Sequence, residues 1–291
     1  MPARLRPRRS VLYMPGSNAR ALEKAKSLPA DALILDLEDA VAPDAKASAR
    51  AQVGAALRAG GYAPRETIVR VNALATPWGH DDLAAMAGVG ADAVLVPKVE
   101  SADAVRQALA LLDAAGGPAD LPLWCMMETP RAMLGAEAIA AAHPRVACLV
   151  MGTSDLAKEL HAAHTPLRLP LLTALGLCLL AARACGLAIL DGVHLDLEDD
   201  AGLEAACRQA AELGFDGKTL IHPKQIGPAN VAFAPDAETL EKARRIIEAH
   251  EDAVRAGKGV VVVDGRLVEH LHVVEAERQV RLAEAIAAMP G

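Results

Sequence analysis

Short apolar runs recur along the chain, and each is followed by a segment of helical composition. The runs are continuous rather than alternating in polarity, which is typical of parallel strands whose outer face is covered by helices. The predicted strands span residues 10–15, 32–39, 67–72, 93–99, 123–129, 146–152, 187–194 and 217–222. Eight strand–helix repeats within about 220 residues predict an α/β protein with a closed (β/α)8 TIM barrel, a fold that commonly takes about 250 residues.

Helix-capping residues support this reading. They are Ser17 or Asn18 before residues 19–27, Ser101 before 102–115, Pro130 before 131–142, and Asp199 or Asp200 before 202–213. A doubly wound open sheet is the competing architecture, and its signature is a GxGxxG turn after the first strand. The chain has Met14-Pro15-Gly16-Ser17-Asn18 there instead, so the closed barrel is the better prediction.

The pattern changes after the eighth predicted strand. Residues 235–256 predict a long charged helix, 260–263 and 266–268 a hairpin around Asp264-Gly265, and 273–288 a final helix. These elements exceed what a barrel requires. We therefore predict a TIM barrel catalytic domain over residues 1–234 and a C-terminal helical and hairpin extension over 235–291, which serves as a lid or an intersubunit arm.

Composition narrows the class of protein. Hydrophobic residues make up 53% of the chain, enough for a large core, and the net charge of −7 provides no basic surface for nucleic acid. The five cysteines have no disulfide or zinc spacing, which favours reduced thiols. The N-terminus lacks the apolar segment of a signal peptide, and the most apolar stretch, 167–180, is too short to span a bilayer. We expect a cytoplasmic protein with no nucleic-acid or membrane partner.

One basic cluster lies just before the first strand, formed by Arg4, Arg6, Arg8 and Arg9. It predicts either a solvated N-terminal tail or a local patch that attracts the phosphates of a nucleotide-bearing substrate.

Polar residues follow the ends of the predicted strands, where TIM barrels place their active sites. They are Asp36, Glu38, Asp39, Arg70, Lys98, Glu128, Asp155, Asp191, His194, His222 and Lys224. Acids that converge with an arginine and a lysine suggest a cation site that faces an anionic substrate. Because magnesium prefers a few carboxylates, waters and substrate oxygens, we predict Mg2+ as the cofactor and Glu128 and Asp155 as its direct ligands.

Structural alternatives exist for the two predicted ligands. Asp155 could instead cap a helix over residues 156–160. For Glu128 the alternative is weaker, because a carboxylate after the apolar run 123–127 would be costly to bury without a partner.

Arg70 follows Ile68 and Val69 late in a buried strand. It could clamp a substrate carboxylate or carbonyl oxygen, or pair with the acids of the adjacent strand, and the two roles are compatible. Those acids, Asp36, Glu38 and Asp39, are predicted to orient Arg70 and metal-bound waters. Lys98 is predicted to neutralise charge or pair with an acid. It is not predicted to form a Schiff base, because acidic surroundings favour its protonated form.

The segments around these strand-end residues together resemble the citrate lyase β-subunit-like branch of the HpcH/HpaI aldolase superfamily, which also contains malyl-CoA and citramalyl-CoA lyases. The resemblance runs from Arg9 to about Ala287. It rests on residues 9–16 with Asn18, 35–41, 69–72, 97–100, 128–130, 152–156, 214–218 and 221–226, whose order and spacing are more specific than any one of them.

The resemblance implies Mg2+ bound by Glu128 and Asp155, with Arg70 and Glu128 as substrate contacts. It also implies a coenzyme A or acyl-carrier thioester as substrate and a homo-oligomer, often a trimer. The implied reaction is retro-Claisen or retro-aldol cleavage of a 3-hydroxyacyl thioester such as citryl-, malyl- or citramalyl-CoA.

One position departs from the pattern of these lyases, in which a C-terminal aspartate follows a Gly-x-Met-Ile segment and is thought to act as acid or base from a neighbouring subunit. Here the segment Gly265-Arg266-Leu267-Val268 is followed by Glu269, which we predict to be a catalytic residue. The longer side chain leaves lyase, synthase and thioesterase activity open. Two further alternatives are a class II 2-oxo acid aldolase that uses no coenzyme A and a carrier-dependent subunit of a citrate lyase-type complex.

Overall fold

The computed structural model describes residues 6–255, 257 and 260–289. Its larger compact unit, Arg8–Phe233, is a closed barrel of eight parallel strands in sequence order, in which the last strand pairs with the first. The strands are β1 (Ser10–Pro15), β2 (Ala32–Asp36), β3 (Glu66–Arg70), β4 (Ala93–Val96), β5 (Leu123–Met127), β6 (Val146–Met151), β7 (Ala188–Asp191) and β8 (Gly217–Leu220). The predicted TIM barrel is confirmed.

Helices connect the strands of the barrel unit. They are α1 (Ala19–Ala25), α2 (Lys46–Ala59), α3 (Gly79–Met86), α4 (Ala102–Ala114), α5 (Pro130–Leu134), α6 (Ala136–Ala140), α7 (Thr153–Glu159), α8 (Leu172–Ala184), α9 (Asp200–Leu213) and α10 (Ile226–Ala232). The N-caps Asn18, Ser101 and Asp199 each accept a hydrogen bond from a backbone N–H of the helix they precede. The single helix predicted over 131–142 is wrong, because it is divided at Gly135.

The barrel interior is filled mainly by aliphatic and sulfur-containing side chains from alternate positions of the strands. Those that are buried are Val11, Ala32, Ile34, Ile68, Ala93, Leu95, Trp124, Met126, Cys148, Val150 and Leu190. The intervening residues belong to a second apolar layer between the strands and the helices. This alternation decides which polar residues at the strand ends point into the barrel mouth, the opening at the C-terminal ends of the eight strands.

At the N-terminal end of the barrel, two partly buried ion pairs use arginines of the predicted basic cluster. Arg9 donates from Nε and Nη2 to the two carboxylate oxygens of Asp31, both at 2.8 Å, and Arg8 pairs with Glu66 at 2.7 Å. For Arg8 and Arg9 the predictions of a solvated tail and of a phosphate-attracting patch are therefore wrong. Arg4 lies outside the described residues.

The described residues of the second compact unit are Arg6, Pro7 and those from Ala234 onward. It contains α11 (Ala237–Arg255), the hairpin of β9 (Val261–Val263) and β10 (Arg266–Val268), and α12 (His270–Ala287). The helices α11 and α12 pack together. The status of residues 235–291 as a separate domain, and the role of lid or intersubunit arm, remain predictions. In the described residues, no helix is both long and apolar enough to cross a bilayer.

Candidate active site

Three polar side chains continue the inward-facing rows of the barrel at its C-terminal end. Asp36 and Arg70 are the last residues of β2 and β3, and Glu128 directly follows β5. Each stands two positions after an interior residue, so each points inward where the hydrophobic filling ends. All three are at most 6% exposed, which requires charged partners within the mouth.

Arg70 is held by a two-pronged ion pair. Its Nε and Nη2 donate to Oδ1 and Oδ2 of Asp36, both at 2.7 Å. The third nitrogen, Nη1, lies 2.9 Å from Oε2 of Glu38 and donates to Oδ2 of Asp39 at 3.2 Å. The ring of Tyr13 lies against the guanidinium, with 4.7 Å from its centroid to the Arg70 Cζ. Asp36 therefore fixes the orientation of the guanidinium and leaves Nη1 as the nitrogen best placed for a substrate oxygen.

The loop that carries Glu38 and Asp39 is held in place by the side chains of Asp36 and Lys46. The carboxylate of Asp36 accepts the backbone N–H groups of Glu38 and Ala40, at 2.9 and 3.1 Å. The buried ammonium of Lys46 donates to the carbonyl oxygens of Leu37 and Glu38, at 2.9 and 2.7 Å. Sequence reasoning missed Lys46, because nothing in its helical context indicates that its side chain reaches back to the strand end.

Glu128 is fixed by its neighbours on both sides. Its Oε1 accepts the backbone N–H of Lys98 at 2.7 Å. A Cβ at Gly152 would lie 2.4 Å from the Glu128 Cβ and 2.6 Å from its Oε2, so only glycine leaves room for this side chain. Burial raises the pKa of Glu128 to about 7, with a further increase from Asp155 and opposing effects of the Lys98 N–H, Arg70 and Lys98. The carboxyl group can therefore hold or release a proton near neutral pH.

Lys98 contacts three of the acids. Its backbone adopts a φ of 51°, which is uncommon for a residue other than glycine, and its N–H reaches Glu128. Its Nζ lies 3.6 Å from Oε1 of Glu38 and 3.5 Å from Oδ2 of Asp155. Burial alone lowers the pKa of Lys98, but the surrounding carboxylates raise it above its ordinary value. The side chain is therefore a cation, as its acidic surroundings predict.

Asp155 lies inside the first turn of α7 rather than in front of the helix. The N-cap position is occupied by Gly152, with no side-chain hydrogen bond to the helix end. The alternative prediction, in which Asp155 caps a helix that begins at residue 156, is therefore wrong. The Asp155 side chain is 36% exposed and forms an ion pair with Lys98, so its carboxylate is open to a cation from solution.

Glu38 completes the group of acids around Lys98. Burial raises its pKa to about 7 against the lowering effect of Arg70. Its Oε2 is buried and accepts no hydrogen bond within the described structure, although Arg70 lies 2.9 Å away. A buried oxygen with unused capacity and several carboxylates near one ammonium form a donor set that suits a hard divalent cation.

The donor set also limits what kind of metal site is possible. Among residues 6–255, 257 and 260–289, no three His, Cys, Asp or Glu side chains converge as a complete metal cage. Two carboxylates are enough for Mg2+, which commonly binds through one or two carboxylates and completes its coordination with water and substrate oxygens. Glu128 and Asp155, with Glu38 nearby, are the residues that could hold it.

Several other polar residues at the strand ends lie elsewhere. Asp191 is fully buried but faces the helices, where Arg168 binds both of its oxygens at 2.7 Å and Lys218 binds one at 2.6 Å. His222 caps a short helical turn through its Nδ1. Their contacts hold together the segments around β7 and β8. His194 follows β7, and its Nε2 is buried without a hydrogen bond in the described structure.

Glu269 belongs to the second unit, at the N-cap of α12. It forms a capping box with His272, whose Nδ1 accepts the backbone N–H of Glu269 at 3.0 Å. The residue is exposed, and its catalytic role remains a prediction.

An eight-stranded parallel barrel with a fixed arginine and several carboxylates at its C-terminal mouth defines a (β/α)8 enzyme. The chain belongs to the HpcH/HpaI aldolase/citrate lyase family, whose model matches residues 9–223. The resemblance inferred from the sequence is thereby confirmed, and the family supports an activity of the coenzyme A-related lyase or aldolase type.

Curated relatives and solved structures agree with this assignment. The chain is 54% identical over 282 residues to a (3S)-malyl-CoA thioesterase of Cereibacter sphaeroides (strain ATCC 17025 / ATH 2.4.3), covering 97% of this chain and 96% of the relative. It is 39% identical to citrate lyase subunit beta of Escherichia coli (strain K12), covering 91% and 89%. The structure of CitE from Mycobacterium tuberculosis in complex with magnesium, acetoacetate and coenzyme A matches with a TM-score of 0.77 and 33% identity, covering 96% of this chain and 98% of that chain.

Proposed function

We propose that this protein is a magnesium-dependent enzyme that cleaves a 3-hydroxyacyl-CoA thioester of the malyl type. The observation that carries the proposal is the pairing of a fixed arginine, Arg70, with a group of carboxylates around Lys98 at the barrel mouth. The substrate class is supported by the 54% identity with a (3S)-malyl-CoA thioesterase and by the similarity to CitE in complex with coenzyme A.

Glu128 and Asp155 are the proposed ligands of the ion. When bound, Mg2+ would supply positive charge that polarises the carboxylate and hydroxyl oxygens of the substrate. Glu128 is kept in position by the Lys98 N–H and by the space at Gly152, so little reorganisation is needed for it to act as a ligand.

Arg70 is the proposed substrate clamp. Asp36 occupies Nε and Nη2, so Nη1 is the donor that remains for a substrate carboxylate or carbonyl oxygen, which would replace the contacts of Nη1 with Glu38 and Asp39. It would stabilise the negative charge that develops on the thioester oxygen during cleavage. Glu269 is the proposed group that exchanges a proton with the substrate.

Carbon–carbon cleavage is the reaction that we propose first. The hydroxyl proton at C3 leaves to a base, the C3–O bond becomes a carbonyl, and the C2–C3 electron pair forms the enolate of the thioester. Protonation of that enolate at C2 gives acetyl-CoA, and the other product from malyl-CoA is glyoxylate. A buried arginine beside the proposed divalent-cation site suits a step in which charge develops on oxygen.

Hydrolysis of the thioester is the second candidate, because the 54% identical relatives are malyl-CoA thioesterases. In that reaction water adds to the thioester carbonyl, the C–S bond breaks, and malate and the coenzyme A thiol are released. Both reactions begin from the same bound substrate.

A product-resolved assay tests the proposal. Purified protein is incubated with (3S)-malyl-CoA and Mg2+, and acetyl-CoA, glyoxylate and free thiol are measured together. Carbon–carbon cleavage gives equal amounts of acetyl-CoA and glyoxylate without thiol, whereas hydrolysis gives thiol and malate. Full activity after removal of metal by a chelator, or in Glu128→Ala and Asp155→Ala variants that remain folded, would refute the site assignment.

We also propose that the enzyme is a cytoplasmic homo-oligomer, with a trimer favoured. Free cysteines suit a reducing compartment. On α8, Leu177 and Leu180 are exposed three positions apart, and Leu134 at the end of the contacting helix α5 is 87% exposed. Exposed leucines on adjoining helices favour burial against another copy of the chain. The molar mass in solution, measured by light scattering, tests this.

A further inference from the structure

Lys98 contacts three of the acids at the mouth: Glu38, Glu128 and Asp155. Its backbone N–H binds Glu128 at 2.7 Å, and its ammonium lies 3.6 Å from Glu38 and 3.5 Å from Asp155. The backbone φ of 51° is a conformation that costs free energy in a residue with a side chain, and such strain concentrates at functional sites. The main chain of Lys98 therefore positions one acid while its side chain serves two others.

The contacts of the ammonium are loose. Both distances exceed the usual range of a direct N–H···O hydrogen bond, about 2.7–3.2 Å. The side chain is also 44% exposed, so water competes for the same positions. An ion pair of this kind contributes little to stability and is readily exchanged for another cation.

A divalent ion held by Glu128 and Asp155 would lie within a few ångströms of this ammonium. Two cations this close repel each other, and the flexible lysine can move while the ion is confined by its ligands. The ammonium must then leave Asp155 and turn toward the open side of the mouth, where an anionic substrate would bind.

From this geometry, and resting on the proposed function, we propose that Lys98 is a placeholder cation. It neutralises Glu38 and Asp155 while the metal is absent, competes with the metal for Asp155, and on displacement binds an anionic oxygen of the substrate. The inference predicts opposite effects of the same substitution: loss of the charge strengthens metal binding and weakens substrate binding.

Mn2+ serves as the probe, and its free concentration is measured by electron paramagnetic resonance in the absence of substrate. The charge-neutral variant Lys98→Met should bind Mn2+ about tenfold more tightly than the wild type, the effect of removing one positive charge a few ångströms from a divalent ion in water. Its KM for malyl-CoA should rise about tenfold, the loss of one charge-assisted hydrogen bond. Lys98→Arg keeps the charge and should stay close to the wild type in Mn2+ affinity. Lys24→Met removes an exposed charge from α1 and is the matched control.

Unchanged or weaker Mn2+ binding by Lys98→Met overturns the inference while leaving the proposed function standing. Absence of Mn2+ binding by the wild type itself overturns the metal site and the inference together. If Lys98→Met does not fold, as judged by circular dichroism, Lys98→Asn decides the question, because asparagine tolerates a positive φ better than most residues.

Discussion

The two-pronged ion pair between Arg70 and Asp36 allows a quantitative test of how the site is built. Arg70→Lys keeps the positive charge but replaces a planar fork with a single ammonium. Lysine cannot bond both oxygens of Asp36 in the observed geometry, in which two nitrogens each lie 2.7 Å from one oxygen. One charge-assisted hydrogen bond in a buried site is therefore lost, at a cost of about 2 kcal/mol.

The loss of this hydrogen bond in Arg70→Lys should change two measurable properties, the melting temperature and the turnover. A loss of about 2 kcal/mol lowers the melting temperature of a unit of this size by about 4–8 °C. Turnover should fall by about 100- to 1,000-fold, because Nη1 of Arg70 would no longer donate to the developing negative charge. Scanning calorimetry measures the first effect, and the product-resolved malyl-CoA assay measures the second.

Arg9→Lys is the matched control. Arg9 binds Asp31 with the same fork geometry, at 2.8 Å for both bonds, but at the opposite end of the barrel. It should lose similar stability with little change in turnover. The reasoning would be refuted if Arg70→Lys kept more than about a tenth of wild-type turnover, or if Arg9→Lys lost as much activity as Arg70→Lys.

Three further predictions concern the carboxylates. Burial raises the pKa of Glu128 to about 7, so protons compete with metal for this carboxylate below pH 7. Mn2+ affinity should therefore fall about tenfold per pH unit from pH 7 to 5. An affinity independent of pH would contradict the role of Glu128 as a ligand. Gly152→Ala should displace Glu128 and abolish both metal binding and turnover. Gly176→Ala is the control and should keep both, because a Cβ added at Gly176 has no neighbour within 4 Å. Retained metal binding in Gly152→Ala would show that Glu128 is not a ligand. Glu269→Gln should lower turnover by about 100-fold or more while the melting temperature is maintained, and unchanged turnover excludes Glu269 as the proton-transfer group.

The fold and the position of the mouth follow from local pattern. Continuous apolar runs separated by helical segments are enough to predict eight parallel strands, and the strand boundaries differ mainly where the runs continue into loops. Residues 37–39 and 71–72 read as strand because they are apolar or adjacent to apolar residues, but they lie beyond the last ladder pairs of β2 and β3. The inward orientation of Arg70 follows from the same alternation as the core around it.

Other parts of the site depend on contacts between distant segments, which local pattern does not encode. The reach of Lys46 to the loop after β2, the room that Gly152 leaves for Glu128, and the left-handed backbone of Lys98 each need the folded barrel. Local pattern does not indicate the ion pair of Arg8 either, because a basic segment in isolation resembles a solvated tail. Its partner Glu66 lies 58 positions away in sequence.

The central claim is that one ion is shared by Glu128 and Asp155, and a Mn2+ titration of four proteins tests it most directly. The proteins are the wild type, Glu128→Gln, Asp155→Asn and the double variant. We predict one Mn2+ per wild-type chain and a loss of affinity of more than about tenfold in each single variant. The double variant should lose less binding free energy for Mn2+ than the sum of the losses in the two single variants, because both side chains act on the same ion. Wild-type affinity in either single variant would contradict the claim.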